Sequence, residues 1–441
     1  MKYTAAVLLA SAAAVSADCA TTSYEEGGNW FCQAVNQIKY TNLAASGSYK
    51  AVSSMSSSGD CSFSDKAYSG AIAPFDEELS VHVRGPTQLK SFAVYKPAAT
   101  KKRAEHKSHR RHGHQHLHKK AAEGKQEEAR AVGDDVIATI NGQVVSWKNT
   151  WDGKTAAVAD SKAAATTYPA AATTAATSSK TTKAASTAST SADFDAAGDY
   201  TRVAYYSAED QTADGITFLG NYGGQGSGVF DNTWGNSLSY LSADGTSGAA
   251  SSEILSNVLV GDNKEYAIFA DTECADGDEE CGYARPGSVA YHGFGGADKV
   301  FLFEFQMPAS GKTGWNEDMP AIWLLNAKIP RTGQYSSCSC WGNGDGCGEA
   351  DVFEVLASGD TKAKSTFHFL NSLGSSDYFD RPTSKYIKLA VVFQASSETA
   401  SIKIIDDSVD FASSLSATTI ESFVNDDGDS LLSTIMSFLS G

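Results

Sequence analysis

The nine residues GEADVFEVL, 348–356, carry three carboxylates, Glu349, Asp351 and Glu354, in an otherwise apolar run. Val352, Phe353 and Val355 are β-branched or aromatic and favour a strand. Alternate residues of a regular strand face opposite sides. Glu349 and Asp351 then share a face, and Glu354 falls on the other. One inserted residue restores the phase. The spacing therefore predicts a β-bulge between Asp351 and Glu354, with Val352 or Phe353 taking up the slack. All three carboxylates would then line one face, two long glutamates flanking a shorter aspartate.

Such a cluster is unfavourable, because like charges raise one another's pKa. Hydrolysis of a glycosidic bond makes use of it. One carboxylate must be ionised to attack, and a second must hold a proton to donate. The spacing alone is a short motif with an ordinary false-positive risk. Its setting adds weight. The Gly- and Cys-rich loop CSCWGNGDGCG, 338–348, precedes the strand, and MPAIWLLN, 319–326, lies just upstream.

The surrounding chain is strand-like. KVFLFEFQMP (299–308), STFHFLN (365–371), YIKLAVVFQ (386–394) and ASIKIIDD (400–407) are short strand candidates separated by turn-rich segments. No amphipathic helix is evident between them. Many short strands with Gly-rich turns predict an all-β sandwich or barrel over residues 198–441. Towards the N-terminus, ELSVHVRG (78–85) and LKSFAVYK (89–96) alternate as half-buried strands do. DVIATINGQVVSW (135–147) places Asn141-Gly142 between two alternating runs, a strong hairpin signal. A small β-rich N-terminal domain over 18–152 is therefore expected. Two segments lack the composition of a core. The basic stretch 101–130 holds six of the nine histidines, and 153–197 is dominated by Ala, Ser and Thr. The first reads as a solvated, pH-sensitive loop with the dibasic pair Lys102-Arg103, and metal binding there is conceivable. The second reads as a disordered, O-glycosylated linker.

MKYTAAVLLASAAAVSA, 1–17, has an early lysine, an apolar run and a small-residue cleavage site, as a secretory signal peptide does. No later apolar run is long enough for a membrane span. LLSTIMSFLSG, 431–441, reads as the end of a domain. An oxidising destination makes disulfides the expected use of the eight cysteines. Three lie near the N-terminus (Cys19, Cys32, Cys61) and five in the C-terminal region (Cys274, Cys281, Cys338, Cys340, Cys347). Both counts are odd, so either one bridge joins the regions or each keeps a free thiol. Zinc on Cys338, Cys340 and Cys347 is the lesser alternative. A net charge of −17 argues against nucleic acid as partner. A neutral polymer is compatible with it. No Asn-X-Ser/Thr sequon occurs.

GEADVFEVL resembles the Glu-x-Asp-x-x-Glu signature of the bulged family 16 glycoside hydrolases, the laminarinase type. MPAIWLL resembles the strand before that signature, and STFHFLN the strand after it. Together with DVIATINGQVVSW and YYSAEDQTADGITFLGNYGGQGSGVFD (205–231), these stretches resemble a family of secreted fungal cell-wall proteins. Those combine an N-terminal module, a Ser/Thr-rich spacer and a glucanase-like domain. The resemblance implies a concanavalin-like β-jelly-roll and a cell-wall protein that acts on β-1,3-glucan. The family sometimes binds a structural calcium, but no loop here has compelling oxygen-ligand spacing. A monomer without cofactor or metal is expected. The same resemblance implies a retaining endo-hydrolase with Glu349 as nucleophile, Glu354 as acid/base and Asp351 tuning both. Transglycosylation by the same residues, or a non-catalytic glucan-binding or structural role, are the alternatives. Met319 departs from the family, which usually has a tryptophan there. Candidate sugar contacts are Trp323, Trp341 and His368 near the triad, with Trp234 and Trp315 further off.

Overall fold

The computed structural model describes residues 22–98, 135–140, 143–148, 199–334, 336–342, 345–369, 372–426 and 433–438. The signal segment, the His-rich loop and the Ala/Ser/Thr-rich spacer lie outside them. Residues 135–140 and 143–148 pair antiparallel, from Asp135↔Lys148 to Ile140↔Gln143, as the Asn-Gly signal predicts.

The rest is an all-β jelly-roll-type sandwich of two large sheets. The order in the first is 212–214, 200–207, 88–97, 299–306, 387–394, 399–405, 37–41 and 433–437. In the second it is 248–249, 239–241, 216–220, 265–270, 79–84, 321–326, 349–354, 362–368 and 373–374. Adjacent strands are antiparallel, except that Ser433–Ser437 runs parallel to Gln37–Thr41. Residues 433–437 of the apolar tail thus form a sheet edge.

Residues 24–97 are β-rich, as expected, but their strands do not close on themselves. Gln88–Pro97 lies between Tyr200–Ser207 and Lys299–Gln306, and Leu79–Arg84 between Glu265–Ala270 and Ala321–Asn326. The boundary drawn near residue 198 therefore falls between neighbouring strands of one sheet. Alternation reports that a strand is half-buried, not which sheet buries it.

The core lies between the sheets. Phe92, Phe301, Phe303, Val391 and Phe393 from the first meet Val81, Val83, Ile322, Leu324 and Phe367 from the second. Each such side chain contributes about 1.5–3 kcal/mol through burial. The outer face of the first sheet is also apolar. Tyr95, Val300, Leu302 and Val392 are covered by the helix Ala417–Val424 through Ile420, Phe423 and Val424. Burial on both faces explains why KVFLFEFQ and YIKLAVVFQ are nearly unbroken apolar runs. The Ser416 hydroxyl caps that helix, accepting from the Thr419 N–H at 3.1 Å.

Candidate active site

The bulge lies where the spacing put it. Against the strand Ala321–Asn326, Ile322 pairs with Phe353 and Trp323 with Asp351, which leaves Val352 as the extra residue. Against Lys362–His368 the register shifts between Asp351 and Glu354. Val352 and Phe353 both enter the core. Phe353 sits edge-on to Phe305 and stacks on Phe379. With two successive residues turned inward, Glu354 returns to the face of Glu349 and Asp351.

Three cross-strand rows result. Ser80, Leu325, Glu349 and His368 form one. His82, Trp323, Asp351 and Thr366 form the next, and Arg84, Ala321, Glu354 and Lys364 the third. Each carboxylate has its own surroundings. Glu349 is buried, and the indole N–H of Trp341 donates to its Oε2. A donor aimed at a carboxylate favours the ionised form. Burial drives the Asp351 carboxyl well above the usual range. The charge of Glu354 adds to that rise, and the Arg84 guanidinium opposes it. Asp351 Oδ2 lies 3.0 Å from His368 Nε2, and His368 Nδ1 lies 3.0 Å from the Ser372 hydroxyl. A proton kept on Asp351 can be donated to Nε2, leaving Nδ1–H to donate to Ser372. Glu354 accepts from Arg84 Nη2 at 3.1 Å, and Arg84 Nε donates to the Met319 carbonyl at 2.8 Å. The triad is thus graded: an indole-bonded carboxylate, a proton-holding aspartic acid, and a guanidinium-paired glutamate.

The structure brings Trp341, His368 and Trp323 to the triad. Trp341 is exposed, and its loop is pinched by the Cys340–Cys347 disulfide. Trp323 faces the carboxylates, but its ring is buried under Tyr49 and Tyr68, so it forms floor rather than an open stacking surface. The indole N–H of Trp234 donates to the Ser56 carbonyl at 2.8 Å, holding a hairpin tip. Trp315 is exposed on the loop that leads to Met319. Arg84, His82 and the hairpin over Trp323 were not found from sequence. Arg84 is 270 positions from its partner Glu354, and no local pattern marks it.

The cysteines resolve the odd counts. Cys61–Cys338 joins the N-terminal strands to the loop before the bulged strand. Cys274–Cys281 and Cys340–Cys347 close short loops, Cys32 is also in a disulfide, and no described cysteine is free. Zinc on Cys338, Cys340 and Cys347 is thereby overturned, because zinc binds thiolates and these sulfurs are oxidised.

Fold and site together define a β-sandwich protein whose bulged strand presents three carboxylates on one sheet face. The chain belongs to the YJL171C/Tos1 family of cell wall proteins. Residues 198–423 match the family's C-terminal part and residues 36–97 its N-terminal part. It is 42% identical to a Saccharomyces cerevisiae protein named "Probable circularly permuted 1,3-beta-glucanase TOS1", over 94% of this chain and 95% of that one. A "Probable circularly permuted 1,3-beta-glucanase" of Arthroderma benhamiae is 40% identical, over 96% of each. A Candida albicans TOS1 of the same description is 36% identical, over 97% and 98%. No solved structure matches. Strands from 37–97 are set among strands from 199–438 in both large sheets.

Proposed function

We propose that this cell-wall protein is a retaining glycoside hydrolase acting on β-1,3-glucan. The observation that carries the reading is the bulge, which places Glu349, Asp351 and Glu354 on one face in three distinct environments. The names of the relatives support the substrate class. In the first step a Glu349 oxygen attacks the anomeric carbon. The bond from that carbon to the glycosidic oxygen breaks, and Glu354 gives its proton to the departing oxygen. In the second step water attacks the same carbon and loses a proton to Glu354, and Glu349 leaves as a carboxylate. The indole bond keeps Glu349 aimed. The proton on Asp351 spares Glu349 a second negative charge on the same face while Glu354 also holds its proton. Sequence resemblance assigns internal, endo cleavage.

The test uses the full chain on a linear β-1,3-glucan, with Glu349→Gln and Glu354→Gln variants. New reducing ends from the wild type, lost in both variants, are expected. Longer products without new reducing ends would make it a transglycosylase. Binding without any change in the polymer would overturn the enzymatic reading.

A further inference from the structure

Away from the triad, the imidazole of His292 stands between two carboxylates. Its Nδ1 is hydrogen-bonded to Glu78 Oε1, and its Nε2 lies 3.0 Å from Asp278 Oδ2. A neutral imidazole carries one N–H. With Nδ1–H donated to Glu78, the Nε2 lone pair meets a carboxylate oxygen, and a cation has to lie between them. A proton or a metal ion meets that requirement, and the surroundings favour the metal ion.

Glu78 is itself held in place. The Arg331 side chain, 0% exposed, donates from Nη2 to Glu78 Oε2 at 2.7 Å. Its Nη1 donates to the Cys281 carbonyl at 2.8 Å, and its Nε to the Tyr291 carbonyl at 3.1 Å. One buried guanidinium thus fixes the residue beside Glu280 and the residue beside His292. A carboxylate that takes Nδ1–H and is hydrogen-bonded in turn is the common support of a metal-bound histidine, with Nε2 left as the ligand. Asp278 turns Oδ2 towards Nε2 while its Oδ1 accepts from the N–H groups of Glu280 and Cys281, at 2.9 and 3.2 Å. The Cys281 N–H foremost holds its carboxyl below the usual range, in the ionised form that binds metal. Glu280 is exposed, and a carboxylate oxygen of it lies within 4.8 Å of a His292 ring nitrogen. The Cys274–Cys281 disulfide closes the loop that carries both acids. Two ligands about 2.0–2.1 Å from a tetrahedral zinc ion lie about 3.3 Å apart, close to the 3.0 Å between Nε2 and Oδ2.

We propose that His292 Nε2, Asp278 and Glu280 bind a divalent ion of the zinc type, with Glu78 and Arg331 as their support. The Arg331 charge is matched by Glu78, so Asp278 and Glu280 balance the charge of the ion. One imidazole nitrogen beside two carboxylates suits zinc better than calcium or magnesium, which take oxygen ligands. The ion fastens the loop 274–281 to residues 291–292. This site is independent of the glucanase reading and departs from the metal-free chain expected from sequence.

The test uses the full chain with the six histidines of 101–130 replaced by serine, because histidine binds zinc wherever it is accessible. After dialysis against a chelator, calorimetric titration with zinc should find a single ion bound. At zinc about 100-fold above the dissociation constant, the melting temperature should rise by about 5 °C. Glu280→Gln should weaken binding at least ~10-fold, and His292→Gln ~100-fold. No binding and no thermal shift at ~1 mM zinc, or an affinity unchanged in Glu280→Gln, overturns the proposal and leaves His292 a protonated bridge between Glu78 and Asp278. Glu280 is exposed, so its variant keeps the test decisive even where His292→Gln does not fold.

Discussion

Asp351→Asn removes a carboxyl that folding forces to keep its proton. Burial is the main cause, with the negative charge of Glu354 next. The sign follows from linkage. A native pKa above the unfolded one means that the unfolded chain releases this proton first, so stability falls as pH rises between the two values. Below the unfolded value near 3.9 both states hold the proton and the difference vanishes. Each pH unit above it removes about 1.4 kcal/mol until the native group also ionises. Asparagine has no such proton and escapes that loss. Both proteins carry His368→Gln in this comparison, because the imidazole bonded to Asp351 ordinarily changes charge inside the same pH window. Thermal unfolding of wild type and Asp351→Asn at pH 4 and pH 7 is the assay. The variant should gain on the wild type between the two, at about 2 °C per kcal/mol of the difference for a chain of this size. Its activity on β-1,3-glucan should fall at the same time. An equal difference at both pH values would refute the protonated state of Asp351.

Trp341→Phe keeps an aromatic ring but removes the donor to Glu349. A hydrogen bond to a charged group is worth about 1.5–3 kcal/mol, so kcat should fall about 10–100-fold with the melting temperature little changed. Arg84→Met unfastens Glu354 from the Met319 carbonyl; about a tenfold loss of kcat with KM nearly constant is expected, and Arg84→Lys should recover part of it. Residues 198–441 expressed alone lack the strands Gln37–Thr41, Leu79–Arg84 and Gln88–Pro97 from the interior of both sheets. That fragment should show no cooperative unfolding transition by calorimetry, and a folded, active fragment would contradict the topology.

What was legible in the sequence was local. The phase slip between Asp351 and Glu354 is written in side-chain alternation, and the bulge follows from it. The strands around 299–306, 387–394 and 399–405 are legible for the same reason, as is the Asn141-Gly142 hairpin. The helix Ala417–Val424 was missed, although Ile420, Phe423 and Val424 fall three and four positions apart. Its apolar face is short and lies beside strands of similar composition. Long-range partners were not legible. Cys61 and Cys338 are 277 positions apart, and the odd cysteine counts limited the choice without making it. Tyr49 and Tyr68 stand in Ser- and Gly-rich strands that look exposed in isolation. Their burial comes from Trp323 and Leu325, far along the chain. Arg84 ends an ordinary alternating strand, and its role depends on register with the bulged strand two positions across the sheet.

The central claim is that Glu349 forms the covalent intermediate while Glu354 handles the proton. A 2-fluoro-β-glucosyl fluoride, or its β-1,3-linked disaccharide, traps such an intermediate because its second step is slow. Peptide mass mapping of the treated full chain should find one added glycosyl group on Glu349, and none on the Glu349→Gln variant. A glycosyl group on Glu354, or steady glucan cleavage with no adduct at either position, would contradict the account.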